Sequence, residues 1–311
     1  MVNVTDVEAQ TISAEAVNHL RANNPIQIPG PTLTQQFADA LNAQLAAQLR
    51  PFLKQLRRDL RLDVKTRKVG GTPVVVVTPR RVRRRRRDIA GFFAHGGGFA
   101  LLDGHDYNAY RFAHDLGIVV YSVDYRRSPY ARFPVALNET VAAYRAVARR
   151  YPRVVAAGSS AGANLVINTV LRSGRGRTRR PRATGLFSPA VDLRAIGDSY
   201  VANDGRDPLL SRDTASKLWA AYLGATPATA PAASPLLADY RAGFVPTIVA
   251  TGTRDLLLSD SVRFAAMLRA ADAPVHLRVW EGMWHAFESV PGLPEGEQVM
   301  GEVFGFLDDH I

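Results

Sequence analysis

The 311-residue chain contains no cysteine, which excludes disulfides and cysteine metal sites and says nothing more about compartment. It also has no long apolar run: a stretch such as VVVV at 74–77 is strand-sized, far short of a membrane span. The opening residues, MVNVTDVEAQTISAEAV, lack the positive start and apolar core of a signal peptide. A soluble, cytoplasmic protein is therefore the expectation. Lysine is scarce too, at 4 of the 39 basic residues. The remaining composition is ordinary for a globular chain, 47% hydrophobic and 22% charged, and long enough for one large domain with embellishments.

The net charge of +11 invites a nucleic-acid reading, but its distribution argues otherwise. Residues 50–87 hold 15 Lys/Arg against 2 acidic residues, leaving 24 basic and 26 acidic elsewhere. The excess centres on RRVRRRRR at 80–87, with no aromatics interleaved as a single-strand stacking groove would need. A block of like charge between two strands reads as a solvated loop, and no nucleic-acid partner is expected.

Along the chain, LTQQFADALNAQLAAQL at 33–49 has helical spacing, and the first fifty residues form a helical segment distinct from the strands after it. VKTRKV and TPVVVVTP then make a hairpin around Gly70-Gly71. From DIAGFFA at 88–94 onward, short apolar strands alternate with amphipathic helices: strands at 118–125, 153–158, 183–188, 246–252 and 275–280, helices at 133–150, 163–172, 259–272 and near 296–310. That rhythm is an α/β fold with a mostly parallel sheet covered on both faces, whose chemistry collects at the carboxyl ends of the strands. Residues 190–240, irregular around one helix near 211–223, interrupt residues 51–311 as an insertion.

VAAGSSAGAN at 155–164 places two serines side by side. A nucleophile on a tight strand-to-helix turn needs glycine two residues before and two after it. Ser160 has Gly158 and Gly162 at those positions; Ser159 has Ala157 and Ala161. Ser160 is the candidate nucleophile. HGGGF at 95–99 ends a buried strand upstream, and consecutive glycines let backbone N–H groups reach a developing oxyanion. The expected donors are Gly97, Gly98 and Ala161, with His95 holding that loop in place. GTRDLLLSD at 252–260 offers Asp255 as the acid, while Asp260, with Ser259, is expected to cap the following helix. His285 in EGMWHAFE is the one histidine that lies beyond both in a loop after a strand.

HGGGF, GSSAGAN, DYRRSPYARFPVAL at 124–137, GTRDLLLSD and MWHAF together resemble the bacterial hormone-sensitive-lipase-like esterases, from about residue 60 to the end. The resemblance implies an α/β-hydrolase fold with an eight-stranded sheet, and a helical cap built from residues 1–50 and the 190–240 insertion. It also implies hydrolysis of small to medium carboxylic esters by a Ser160–His285–Asp255 triad through an acyl-enzyme. No metal or organic cofactor is required. The implied partner is a small-molecule ester, without stable membrane insertion and with homodimerisation left open. The alternatives are a lactonase using the same residues and a non-catalytic binding protein on the same fold. Three positions depart from the family pattern: Ser159 stands where Asp is usual, Ala163-Asn164 replace Gly-Asn, and Arg127-Ser128-Pro129-Tyr130 replace Leu-Ala-Pro-Glu.

Overall fold

A computed structural model describes residues 2, 4–82, 86–174 and 178–311. Among the described residues eight strands form one sheet: β1 (Leu62–Val69), β2 (Thr72–Pro79), β3 (Ile89–Ala94), β4 (Val119–Val123), β5 (Arg153–Ser159), β6 (Thr184–Phe187), β7 (Thr247–Gly252) and β8 (Val275–Trp280). The spatial order is β1-β2-β4-β3-β5-β6-β7-β8. β2 pairs antiparallel with β1 and β4, and every other pairing is parallel.

Strand side chains alternate between faces, so each apolar strand feeds two cores. Val74, Phe92, Val154 and Val249 join one core with α4 (Val135–Arg150), α5 (Ala161–Arg172), α6 (Ser199–Ala202), α7 (Arg212–Leu223) and α8 (Leu258–Ala270). Their neighbours Val75, Phe93, Val155 and Ile248 join the other with α1 (Ala14–Ala22), α3 (Tyr107–Leu116) and α9 (Pro294–Asp308). Both sheet edges are polar, with Lys65, Arg67 and Lys68 exposed on β1 and Arg278 on β8, which discourages pairing with other chains.

Two helices differ from expectation. α2 (Gln35–Asp59) continues ten residues past Leu49, through Pro51. A proline there removes one helical hydrogen bond, but Ala47 and Pro51 are exposed, so water can satisfy the carbonyl it strands. α3, between β3 and β4, lies where no helix is expected from the periodicity. Asp106 caps it, accepting from the Asn108 and Ala109 N–H groups at 2.7 and 3.2 Å, and Gly117 at φ 62° ends it. Among the described residues, no helix is long and apolar enough to cross a membrane.

Candidate active site

Ser160 is the single residue between β5 and α5, at φ 54° and ψ −119°, a conformation rarely adopted by residues with side chains. The glycines on either side permit it. A Cβ on Gly162 would lie 2.0 Å from the Ala94 carbonyl oxygen, and one on Gly158 would lie 2.7 Å from the Gly162 carbonyl carbon. The expected register is thus a steric requirement of this turn. Ser159, one residue earlier, turns elsewhere: its hydroxyl donates to buried Glu288 Oε1 at 2.7 Å.

The structure brings Ser160, His285 and Asp255 together from three loops. His285 Nε2 lies 2.9 Å from Ser160 Oγ, and its Nδ1 lies 3.0 Å from Asp255 Oδ1. Asp255 also accepts from the Thr251 hydroxyl at 2.8 Å and the Leu257 N–H at 2.8 Å. All three residues are buried. Burial alone would raise the Asp255 carboxyl, but the charge and hydrogen bond of His285 outweigh it and hold the group below the usual range. Burial likewise pushes the His285 imidazole down, yet Asp255, with Asp207 and Glu288 behind it, brings it above its ordinary value. With Nδ1–H donated to Asp255, Nε2 is left as the acceptor facing the serine hydroxyl. Such an arrangement can remove the serine proton and stabilise the imidazolium that results.

The glycine loop after β3 stands opposite. Gly97 (φ 90°) and Gly98 (φ 60°) occupy the left-handed region, and a Cβ on Gly97 would lie 2.2 Å from the Leu101 carbonyl oxygen. Among the described residues none accepts from the Gly97 or Gly98 N–H, and Ala161, first in α5, also has a free N–H. The loop is fixed from behind. Buried His95 stacks on Tyr125 at 4.2 Å, its Nδ1 lies 2.9 Å from the Gly96 carbonyl, and Tyr125 donates to the His95 carbonyl at 2.9 Å. Burial lowers the His95 imidazole to about 4, so it is neutral at pH 7. The Ser128 N–H donates to the Phe99 carbonyl at 2.8 Å, giving the 124–137 stretch its place as the loop's outer brace.

Asp260 is not a helix cap. Burial pushes its carboxyl up to about 7, and Oδ2 accepts from the N–H groups of Val191 and Asp192 at 3.0 and 2.9 Å. At the start of α8 the Ser259 N–H instead donates to the Ser199 hydroxyl at 3.0 Å, and the Leu258 N–H to the Asp255 carbonyl at 3.1 Å. Asp260 therefore ties the base of the 190–240 insertion to the core. Sequence reasoning missed two further carboxyls, Asp207 and Glu288, both fully buried. Asp207 follows Gly205 in GRDP, a turn signal that gives no hint of a long-range partner. Glu288 sits three residues past His285 within MWHAFE, and only its burial distinguishes it.

A cavity of about 220 Å³ opens beside these groups. Gly96, Gly97, Gly98, Ser160 and His285 form its reactive wall. Ile26 and Leu45 come from the N-terminal segment, and Leu209, Leu210, Leu218 and Trp219 from residues 190–240, so both segments contribute to its lining. Beyond the reactive wall, Asp106, Ser159, Thr214 and Ser289 are the polar residues of a mainly apolar lining.

Fold and site together define an ester hydrolase of the α/β type. The pattern of the α/β hydrolase fold matches residues 92–289. The chain is 30% identical over 221 residues to an acetyl-hydrolase of Streptomyces hygroscopicus, covering 69% of this chain and 74% of that one. It is 31% identical over 223 residues to an esterase of Acinetobacter venetianus, covering 69% and 73%. A crystal structure of an esterase from the bacterial hormone-sensitive lipase family superposes with a TM-score of 0.81 at 28% identity, over 99% of this chain and 100% of that chain. The chain belongs to the α/β hydrolase family, among its bacterial hormone-sensitive-lipase-like members, and is an enzyme of the carboxylesterase class.

Proposed function

We propose that Ser160 is the nucleophile, His285 the general base and acid, and Asp255 the residue that orients the imidazole, in hydrolysis of small to medium acyl esters. Ser160 Oγ attacks the ester carbonyl as its proton passes to His285 Nε2. The N–H groups of Gly97, Gly98 and Ala161 stabilise the oxyanion. His285 then protonates the leaving alcohol, and a water activated the same way releases the acid from Ser160. The observation that carries this reading is the unbroken chain from Asp255 Oδ1 through His285 to Ser160 Oγ at the cavity wall.

Substrate size follows from the lining. A cavity of about 220 Å³ is smaller than the ~300–1,000 Å³ typical of drug-sized ligands. In this reading residues 1–50 and 190–240 act together as a cap that bounds the acyl chain. A series of nitrophenyl esters tests it: kcat/KM should peak at acyl chains of about two to eight carbons, because each added methylene gains affinity only until the pocket is full. A phosphonate ester should label Ser160. Preference for long-chain triglycerides, or a label on Ser159, would overturn the reading.

A further inference from the structure

We propose that Asp207 is a positioning residue that sets Asp255 and His285 against one another, a role that rests on the triad reading above. Asp255 and His285 lie on separate loops after β7 and β8, and both loops converge on one carboxylate oxygen. Asp207 Oδ2 accepts from the Leu256 N–H at 3.0 Å, next to the acid, and from the N–H of His285 itself at 3.1 Å. Oδ1 accepts from the Leu209 and Leu210 N–H groups at 2.9 and 3.1 Å, which fixes the plane of the carboxylate. The side chain is fully buried, so no water competes for these four bonds.

Two features separate Asp207 from a generic buried turn residue. Its partners are the backbones of the acid loop and of the base, so displacing it disturbs the placing of both groups at once. A misplacement of ~1 Å costs on the order of 10²-fold in rate even when the chemistry is intact. Moreover, Leu209 and Leu210 line the cavity, so the same carboxylate joins the pocket wall to the loops behind His285. Other insertion residues grip the acid loop alone: Asn203 Nδ2 donates to the Asp255 carbonyl at 2.8 Å, and Ser199 Oγ to the Leu256 carbonyl at 2.7 Å. Among the described residues, Asp207 is the insertion side chain that bonds to both loops.

Asp207→Asn tests this, because an amide NH₂ faces two N–H donors whichever oxygen it replaces. The expected result is a loss of about 10- to 100-fold in kcat, with KM within about twofold. The low-field proton resonance of the His285–Asp255 bond should shift or broaden. Asp260→Asn is the control: it also removes a buried carboxylate bonded to backbone, but should keep kcat within about twofold and leave that resonance in place. An Asp207→Asn enzyme with kcat and resonance both unchanged would overturn the proposal. Should that variant not fold, Asp207→Glu keeps the carboxylate and shifts it by one methylene. It should lower kcat while KM holds, and wild-type kcat in the Glu variant overturns the proposal as well. Ser160→Ala keeps the two readings apart. If it retains activity, the triad reading fails; if it is inactive while the Asp207 variants are not, this inference alone fails.

Discussion

At the carboxyl end of the sheet, Asp207, Asp255 and Asp260 are fully buried, and each accepts hydrogen bonds from at least two groups. Along α2, β1 and the turn before β3, the basic residues of 50–87 outnumber them several-fold. Yet of those the structure describes, Arg86 alone is not exposed. In the first region low dielectric makes every charge costly, so each must have assigned partners, and those partners hold the loops at the end of the sheet in place. In the second, water and salt mask the charge, and number substitutes for nothing. Arg83, Arg84 and Arg85 fall outside the described residues. Arg86 departs from a solvated-loop reading, because Nη1 donates to the Leu116 carbonyl at 2.8 Å and Nη2 to Asp308 Oδ2 at 3.0 Å. It pins the turn to the end of α9.

The contrast breaks most directly at the proposed nucleophile. Ser160→Ala should lower kcat by about 10⁴-fold or more in a nitrophenyl ester assay. Ser159→Ala should keep most activity, while losing stability by leaving the buried Glu288 without its 2.7 Å hydrogen bond. Next come the two aspartates. Asp255→Asn should cost about 10³- to 10⁴-fold in kcat by favouring the wrong imidazole tautomer. Asp260→Asn should show its effect in denaturation instead, a loss of about 1–2 kcal/mol, since the new NH₂ must face either the Val191 and Asp192 N–H groups or the Arg263 guanidinium. Equal kcat losses in the two would erase the distinction between a reacting and a merely buried carboxylate.

A pH profile sharpens the comparison further. In the proposed mechanism His285 must be neutral to accept the serine proton, and its imidazole is held above the ordinary value. The acid limb of kcat/KM should therefore have its midpoint above about pH 6.5, with activity lost as pH falls through it. A midpoint below that value would mean burial outweighs Asp255. The smallest effects belong to the basic region. The turn precedes the amino end of β3, whose carboxyl end leads to the glycine loop, about one strand length or roughly 20 Å away. At that distance a Debye length of about 8 Å screens most of the field. Replacing Arg80, Arg81 and Arg87 with Gln should leave kcat/KM on a neutral ester within about twofold, and Arg86→Gln should cost about 1 kcal/mol or less. Sub-micromolar DNA affinity at physiological salt, lost in the Gln variants, would show that the exposed charges serve a partner after all.

Local chemistry is legible in the sequence. Strand and helix periodicity places the eight strands, since side-chain direction is set by the backbone of each element. The choice of Ser160 over Ser159 rests on glycines two residues away, a constraint that acts within a single turn and is therefore written in adjacent letters. Asp255 and His285 stand out because each follows a strand whose end faces Ser160. What tertiary structure decided lies between loops distant in sequence. Asp260 has the look of a cap because an Asp at a helix start usually is one; its real partners, Val191 and Asp192, are about seventy residues earlier. Asp207 bonds across 49 and 78 residues, and Ser159 reaches Glu288 across 129. A buried carboxyl takes whichever N–H or O–H groups the packed core leaves beside it, and only the assembled sheet and its insertion bring those groups there.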